Sequence, residues 1–102
     1  MAPAFYALYT AWVGREYAWT EGGKASAAAH GVTEREAIEA LYSTQRIENT
    51  VGTLLLAVAG LAESTRVIVV LCERVANLDS YAILAVRPAT PAEIKLWMEG
   101  TQ

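Results

Sequence analysis

The order of apolar and polar residues predicts a strand followed by a helix in the first third of the chain. Residues 16–20, EYAWT, read as a short strand. The following EGGKASAAAH offers a turn at Gly22 and Gly23 and then alanine-rich sequence that favours a helix, which ends at Gly31 in the position of a left-handed cap. For the aromatic stretch within residues 1–15, a further strand and a packing arm both remain open.

Two capping boxes mark the starts of two more helices. In TEREAIEALY, Thr33 can accept from the amide of Glu36 while the Glu36 carboxylate reaches back, and such a cap is typically worth about 1 kcal/mol. In TPAE, Thr90 takes the cap position, Pro91 the first helical position and Glu93 the third. The apolar residues expected to face the interior are Ala37, Ile38 and Leu41 in the first of these helices and Ile94, Trp97 and Met98 in the second.

Four apolar, β-branched segments lie between the two capped helices. They are STQRIEN, TLLLAVAGL, RVIVVLCER and YAILAVR, separated by TVG, AEST and ANLD, and this spacing is typical of an antiparallel meander. No repeat or linker divides the chain, so residues 1–102 are expected to form a single domain. The sequence therefore predicts an α+β fold with two N-terminal helices, an antiparallel β-meander sheet and a C-terminal helix.

The composition is apolar and slightly acidic. Hydrophobic residues make up 54% of the chain and charged residues 19%, which is more apolar surface than one small domain usually hides and predicts a homo-oligomer. A net charge of -3 gives no general attraction to nucleic acid or anionic membrane, so any RNA site must be a local patch. The longest apolar run is too short to cross a bilayer and no basic signal region precedes it, so we expect a cytoplasmic protein without membrane contact.

Few residues could support covalent or metal chemistry. The lone Cys72 lies in the apolar run VIVVLC, which favours an inert core thiol, and a structural zinc site would need four clustered ligands. The only histidine, His30, follows an alanine-rich helix rather than the strand–turn–helix that carries a hydrolase nucleophile. Neither EGGK nor AVAGLA has the spacing of a phosphate-binding loop. We therefore predict no cofactor and no metal.

Two arginines stand at strand ends and could form an anion site. If Val75 pairs with Ser80 across ANLD, Ile68 lies opposite Arg87, and Arg66 becomes the diagonal neighbour of Arg87 on the same face. The two guanidinium groups would then converge near the N-terminus of the last helix, which also attracts anions. A loop one residue shorter would place them on opposite faces. The alternative interpretation is that each arginine only ends a strand and extends into solvent.

Three stretches together resemble the BrnT-type toxins. YAWTEGGKASAAAHGVTEREAIEALY is similar to the family's opening, where an aromatic-Trp-Asp strand end leads through a Lys-bearing helix to a Lys-His-Gly-Val turn. TRVIVVLCE resembles the family's Gly-Arg-strand segment, and AILAVRPATPAEIKLW resembles its strand ending in Ala-Arg-x-Ala-Thr before a helix with Glu and an aromatic residue. The chain departs from this pattern with Thr20 in place of Asp, Ser26 in place of Asn and Ala29 in place of Lys.

The resemblance implies a RelE/ParE-like ribonuclease toxin that a DNA-binding ribbon-helix-helix antitoxin neutralises. Metal-free RNA cleavage uses the 2′-hydroxyl of the RNA as nucleophile and needs a base, an acid and cations at the phosphate. Carried over to this chain, His30 is the candidate base, Arg66 and Arg87 are the cations, and Glu93 matches the family's C-terminal acid. The competing hypothesis is a non-catalytic, dimeric α+β module that uses its apolar, aromatic surface to bind protein.

Overall fold

The computed structural model describes residues 15–61, 66–75 and 80–101, and these contain three helices and five strands. In chain order they are β1 (Glu16–Trp19), α1 (Glu21–Ala29), α2 (Glu34–Leu41), β2 (Arg46–Val51), β3 (Leu54–Gly60), β4 (Val67–Arg74), β5 (Ser80–Pro88) and α3 (Pro91–Gly100). No helix within these ranges is long and apolar enough to cross a membrane. The strand or packing arm expected at residues 1–15 lies outside the described residues, apart from Arg15.

The five strands form one mixed sheet in the order β1-β5-β4-β3-β2. From β2 to β5 each strand pairs antiparallel with the next, so the predicted meander is confirmed. The short β1 differs because it pairs parallel with β5, from Glu16 beside Ser80 to Trp19 beside Ile83. The predicted α+β class, with two helices before the meander and one after it, is thus confirmed, with β1 added as a parallel edge.

The two faces of the sheet carry different helices. Alternate residues of the central strands, such as Leu55, Ile68 and Cys72, are fully buried in one cluster with Ala37 and Leu41 of α2. The opposite face of β2 and β3 carries α3, whose Trp97 ring lies so close to Gly60 that a Cβ there would overlap the ring. The core therefore lies between the sheet and the α1–α2 pair, whereas no described residue of α3 is fully buried.

Most of the predicted helix signals act as expected. Both capping boxes form, at Thr33 with Glu36 and at Thr90 with Glu93, and Gly31 has the predicted left-handed conformation with φ of 68°. The prediction for Met98 is wrong, because its side chain is 51% exposed, whereas Trp97 does pack on the sheet.

The predicted turn at Gly22 and Gly23 is wrong. Gly22 and Gly23 are not a turn but the second and third residues of α1, which begins directly after its cap residue Thr20. The Thr20 hydroxyl accepts from the amide of Gly23 and donates to the carbonyl of Ile83. Gly23 is needed for close packing instead of for a turn, since a Cβ there would overlap the Ile83 carbonyl.

Candidate functional site

Two of the four predicted site residues, His30 and Arg66, are at the turn between α1 and α2. His30 is the last residue before Gly31, and the Arg66 guanidinium donates to the Gly31 carbonyl at 3.2 Å. The His30 Nδ1 lies 2.8 Å from the carbonyl oxygen of Ser26. Because a carbonyl oxygen can only accept, Nδ1 carries the proton in the neutral ring, which leaves Nε2 as an acceptor. The turn therefore contains a potential base, His30, and a backbone carbonyl, that of Gly31, which binds a cation.

A carboxylate accompanies this pair. Arg66 also donates to both oxygens of Glu36, each at 3.3 Å, and Glu36 is the capping-box residue of α2. The backbone amide of Thr33 is the main cause that holds the pKa of Glu36 below its usual range, and Arg66 adds to the effect. Glu36 thus stays ionised, and its negative charge partly offsets the positive charge that Arg66 presents to an approaching anion.

The other two predicted residues, Arg87 and Glu93, form a second and tighter pair. The two guanidinium nitrogens of Arg87 donate to the two oxygens of Glu93 at 2.6 and 2.7 Å, and Arg87 also donates to the Pro88 carbonyl. Glu93 in turn accepts from the amide of Thr90 as part of the capping box. The Arg87 hydrogen bonds lower the pKa of Glu93 to about 2. This pair fastens the end of β5 to the start of α3.

The predicted convergence of Arg66 and Arg87 is wrong. Val75 does bond to Ser80, as the prediction assumed, but the register of β4 and β5 then slips between Leu71 and Cys72. As a result, Val69 and not Ile68 lies opposite Arg87. Because side chains alternate between faces, Arg87 lies on the α3 side of the sheet and Arg66 on the α1–α2 side. The two arginines share one end of the sheet without forming a common anion site.

Each arginine instead binds the capping-box glutamate of a different helix. Arg66 holds Glu36 at the start of α2, and Arg87 holds Glu93 at the start of α3. This shared pattern indicates that both arginines have a structural role, because each ion pair fixes a helix terminus to the end of a strand. Of the two arginines, only Arg66 also bonds to the turn that contains His30, the candidate base.

Sequence reasoning missed a third cluster, formed by Arg15, Tyr17, Tyr42, Glu48 and Tyr81. Arg15 donates to Glu48 at 2.8 Å and stands 5.5 Å above the centre of the Tyr81 ring. The Tyr17 ring stacks on the Tyr81 ring and is nearly perpendicular to the Tyr42 ring. Burial alone would raise the pKa of Glu48, but hydrogen bonds from Arg15 and from the neighbouring Arg46 outweigh it and lower that pKa. The cluster is therefore a satisfied ionic and aromatic network.

This network joins the two edges of the sheet. Arg15 immediately precedes β1 and Glu48 lies in β2, which are the opposite edge strands. In a flat sheet, four strand spacings of about 4.8 Å would separate them, too far for one ion pair, so the sheet must curve around α1 and α2. The residues are 33 positions apart, and no local motif announces the contact.

An open cleft of about 450 Å³ lies at the other end of α2. It is lined by Tyr42, Gln45, Leu61 and Trp97, among others, and Glu39 is the only ionisable carboxylate at its wall. The Trp97 indole donates to the Gln45 carbonyl at 2.6 Å. Cys72 is fully buried, and burial raises the pKa of its thiol to about 12, so it offers no nucleophile. Within the described ranges no three potential metal ligands cluster.

Comparison with known proteins assigns no family. No protein-family model matches this sequence, and a search of curated proteins finds no significant match. The function must therefore be inferred from the residues and their arrangement.

The Arg87 pair makes a prediction about stability. We expect Arg87→Ala to lower the free energy of unfolding by about 1 kcal/mol, because a bidentate but partly exposed ion pair contributes more than an ordinary surface pair. Lys95→Ala, which removes an exposed cation from the same helix, should change it by less than about 0.5 kcal/mol. Urea unfolding of the three proteins measures both effects.

The pH dependence of the stability difference between wild type and Arg87→Ala tests whether Glu93 is the partner of Arg87. The pKa of Glu93 is lowered to about 2 in the folded protein. The ion pair with Arg87 therefore stabilises the fold fully at any pH above the usual carboxyl range, and this stabilisation is lost as the pH falls toward 2. The gap between wild type and Arg87→Ala should therefore be constant near neutral pH and close in strong acid. A gap that persists unchanged at low pH would contradict the pairing with Glu93.

Proposed function

We propose that this chain is the BrnT-like toxin component of a type II toxin–antitoxin pair and that its ribonuclease site is the turn between α1 and α2. The observation that carries the proposal is that both residues belong to that turn: His30 directly precedes Gly31, and Arg66 donates to the Gly31 carbonyl. The resemblance assigns polar roles to both residues, and they come from distant parts of the chain. The order of helices and strands, which agrees with the RelE/ParE-like arrangement, supports the same proposal.

The chemistry at this turn needs no metal. His30 Nε2 takes the proton of the RNA 2′-hydroxyl, whose oxygen then attacks the adjacent phosphorus. The bond from phosphorus to the 5′-oxygen breaks, which leaves a 2′,3′-cyclic phosphate, and the released 5′-oxygen takes its proton from water. Arg66 stabilises the negative charge that builds on the phosphate oxygens during this step. Glu36 orients the guanidinium of Arg66 through its two oxygens. In this mechanism Arg87 and Glu93 do not touch the RNA, and their role is to hold α3.

Two departures from the family pattern are compatible with the same fold. Thr20 caps α1, which Asp also does well, so the substitution keeps the start of the helix. Ser26 accepts from the amide of Val86 and donates to its carbonyl, two bonds for which an asparagine side chain also has the required donor and acceptor. The third departure, Ala29, removes a cation beside His30, and nothing in the described structure replaces it at that position.

The partner that this proposal implies is a ribbon-helix-helix antitoxin in the bacterial cytoplasm. A toxin of this kind meets RNA only when it is free of that partner. The slightly acidic net charge means that RNA would be attracted locally, through Arg66.

Growth inhibition and RNA cleavage test the proposal. Expression of the wild-type chain should arrest growth, and the purified protein should cleave RNA in the presence of a chelator. His30→Ala and Arg66→Ala should each reduce cleavage by at least about 100-fold, the range expected for an acid–base group or a charge-stabilising group. The matched control, Arg35→Ala, removes an exposed cation from the same helix start and should retain most of the activity.

Stability must be measured alongside activity, because Arg66 also holds Glu36. Arg66→Lys keeps the charge and should preserve the fold while restoring little cleavage, since a point charge does not replace the planar guanidinium. A wild-type chain that neither arrests growth nor cuts RNA would exclude the ribonuclease.

The second candidate is the non-catalytic protein-binding module. It is favoured by the pairing of both arginines with carboxylates and by the exposed apolar side chains of α3, Leu96 and Met98, which are 59% and 51% exposed. Under this hypothesis His30→Ala changes neither growth nor partner binding, whereas substitution of Leu96 by a charged residue weakens binding.

A further inference from the structure

The cleft at the C-terminal end of α2 adjoins the residues that hold Arg66. The cleft has a volume of about 450 Å³ and contains Leu61 in its wall, and the Leu61 amide donates to the Arg66 carbonyl at 3.0 Å. Glu39 lies in the same wall, three residues after Glu36, whose carboxylate pairs with the Arg66 guanidinium. Because a helical turn rises only about 5.4 Å, the wall of the cleft begins close to this ion pair.

The walls of the cleft carry the groups that recognise a planar, polar ring. Tyr42 and Trp97 line it, and aromatic side chains bind the bases of single-stranded nucleic acid by stacking. Thr44 and Gln45 line it as well, and both residues are exposed. Among the described residues no hydrogen bond uses the Thr44 hydroxyl or the Gln45 carboxamide. The cleft therefore combines aromatic surfaces with a donor and an acceptor that are available to a ligand.

We infer that this cleft binds a nucleobase of single-stranded RNA while Arg66 binds a phosphate of the same strand. The choice of RNA as the ligand rests on the proposed function. A glutamine carboxamide forms two hydrogen bonds with adenine, and single-stranded RNA exposes the edges of its bases to such contacts. In this arrangement Thr44 and Gln45 bind the edge of the base, and the aromatic residues contact its face.

Charge and size agree with this orientation of the ligand. The Glu39 carboxylate in the wall disfavours a phosphate inside the cleft, whereas an uncharged base can enter it. The phosphate is attracted instead to the Arg66 guanidinium. A volume of about 450 Å³ lies within the range of about 300–1,000 Å³ that is usual for small-molecule sites, so the cleft has room for a base.

Nucleotide binding tests the cleft without RNA cleavage. The full-length His30→Ala protein, which lacks the proposed base, is titrated with AMP while NMR follows the indole N–H signals of its three tryptophans. The Trp97 signal, assigned by its loss in Trp97→Phe, should shift. The Trp19 signal should not, because Trp19 packs against the core between the sheet and the α1–α2 pair and does not line the cleft.

Removal of the two polar groups should weaken binding. Thr44→Val combined with Gln45→Ala should raise the dissociation constant of AMP at least about tenfold, because two hydrogen bonds are lost. The matched control combines Asn49→Ala with Thr50→Val, which removes the same kinds of group from exposed positions of β2 outside the cleft. This control should leave the dissociation constant unchanged.

The phosphate contact is tested by comparing AMP with adenosine. Adenosine should bind at least about threefold more weakly than AMP, because it lacks the charge that Arg66 attracts, and Arg66→Ala should remove this difference. Equal binding of adenosine and AMP to a protein with Arg66 intact would overturn the link between the cleft and Arg66.

A short oligoribonucleotide separates RNA from a free nucleotide as the ligand. Triadenylate should bind His30→Ala at least about threefold more tightly than AMP, because its middle base has a phosphate on each side. Equal affinity for the two ligands would overturn RNA as the ligand of the cleft.

The results also separate this inference from the ribonuclease proposal. An unchanged Trp97 signal, or a Thr44→Val and Gln45→Ala protein that binds AMP as tightly as its control, would overturn the base site even if the wild type cleaves RNA. A shifted Trp97 signal and tight triadenylate binding in a chain that cleaves no RNA would support the base site and exclude the ribonuclease alone.

Discussion

We expect Gly23→Ala to lower the free energy of unfolding by about 3 kcal/mol, because the new methyl group has no space against β5. A Cβ on Gly23 would overlap the carbonyl oxygen of Ile83 and lie 3.0 Å from its carbonyl carbon. Both atoms belong to the backbone of a central part of the sheet, so they cannot turn aside as a side chain would. The helix α1 would have to move away from β5, which also weakens the Thr20 bond to the same carbonyl.

The adjacent glycine supplies a control of opposite sign. A Cβ on Gly22 meets only the Leu84 carbonyl at 3.8 Å and the Thr20 hydroxyl at 3.9 Å, both ordinary contacts. Gly22→Ala should therefore stabilise the protein by about 0.5–1 kcal/mol through better helix propensity. Urea unfolding of the two variants should give shifts in opposite directions. Destabilisation of similar size in both would show that α1 does not pack against β5 as described.

Gly22 and Gly23 also show what could not be predicted from the sequence. Glycines next to each other favour a turn, and that preference led to the wrong start for α1. A glycine needed for a left-handed conformation has a local signature, as at Gly31 after an alanine-rich helix. A glycine needed for close approach depends on a strand far away in the chain, here at Ile83, and leaves no local trace.

The local signals were reliable in the rest of the fold. The capping boxes at Thr33 and Thr90 were predictable because the cap and its glutamate are three residues apart and satisfy each other. The meander was predictable because its apolar segments are separated by short polar stretches. The parallel pairing of β1 was not, since it depends on the path of two helices across the sheet.

The candidate site was predicted only in part because its geometry depends on register. Leu84 is an extra residue in β5, between Ile83 beside Cys72 and Ala85 beside Leu71. The segment YAILAV is apolar at every position, so the sequence does not reveal which residue bulges. One unpredicted bulge moved Arg87 to the opposite face and separated it from Arg66.

Beyond the end of β1, the helix α1 takes the place of a strand along the edge of β5. The short β1 ends beside Ile83, and beyond it the backbone of β5 has no strand on that side within the described residues. Thr20 bonds to the Ile83 carbonyl, Gly23 packs on it, and Ser26 bonds to both backbone groups of Val86. The spacing of three residues places all of them on one face of α1. The helix therefore satisfies the edge that β1 leaves open.

We expect Ser26→Ala to lower the free energy of unfolding by about 2 kcal/mol, because it leaves the amide of Val86 without an acceptor in a buried position. The Ser26 hydroxyl accepts from that amide at 3.0 Å and donates to the Val86 carbonyl at 2.9 Å, so both bonds are lost together. Ala25→Ser, at an exposed position of the same helix, measures the helix-propensity difference that would otherwise mask part of the loss. Ser26→Asn keeps a donor and an acceptor and should recover part of the stability.

Hydrogen exchange provides the specific readout for Ser26→Ala. The Val86 amide should exchange much faster in this variant than in wild type, while the amides of β3 keep their protection, since only the α1 side of β5 has lost its partner. Unchanged exchange at Val86 would mean that the amide has another acceptor and that α1 does not complete the edge of β5.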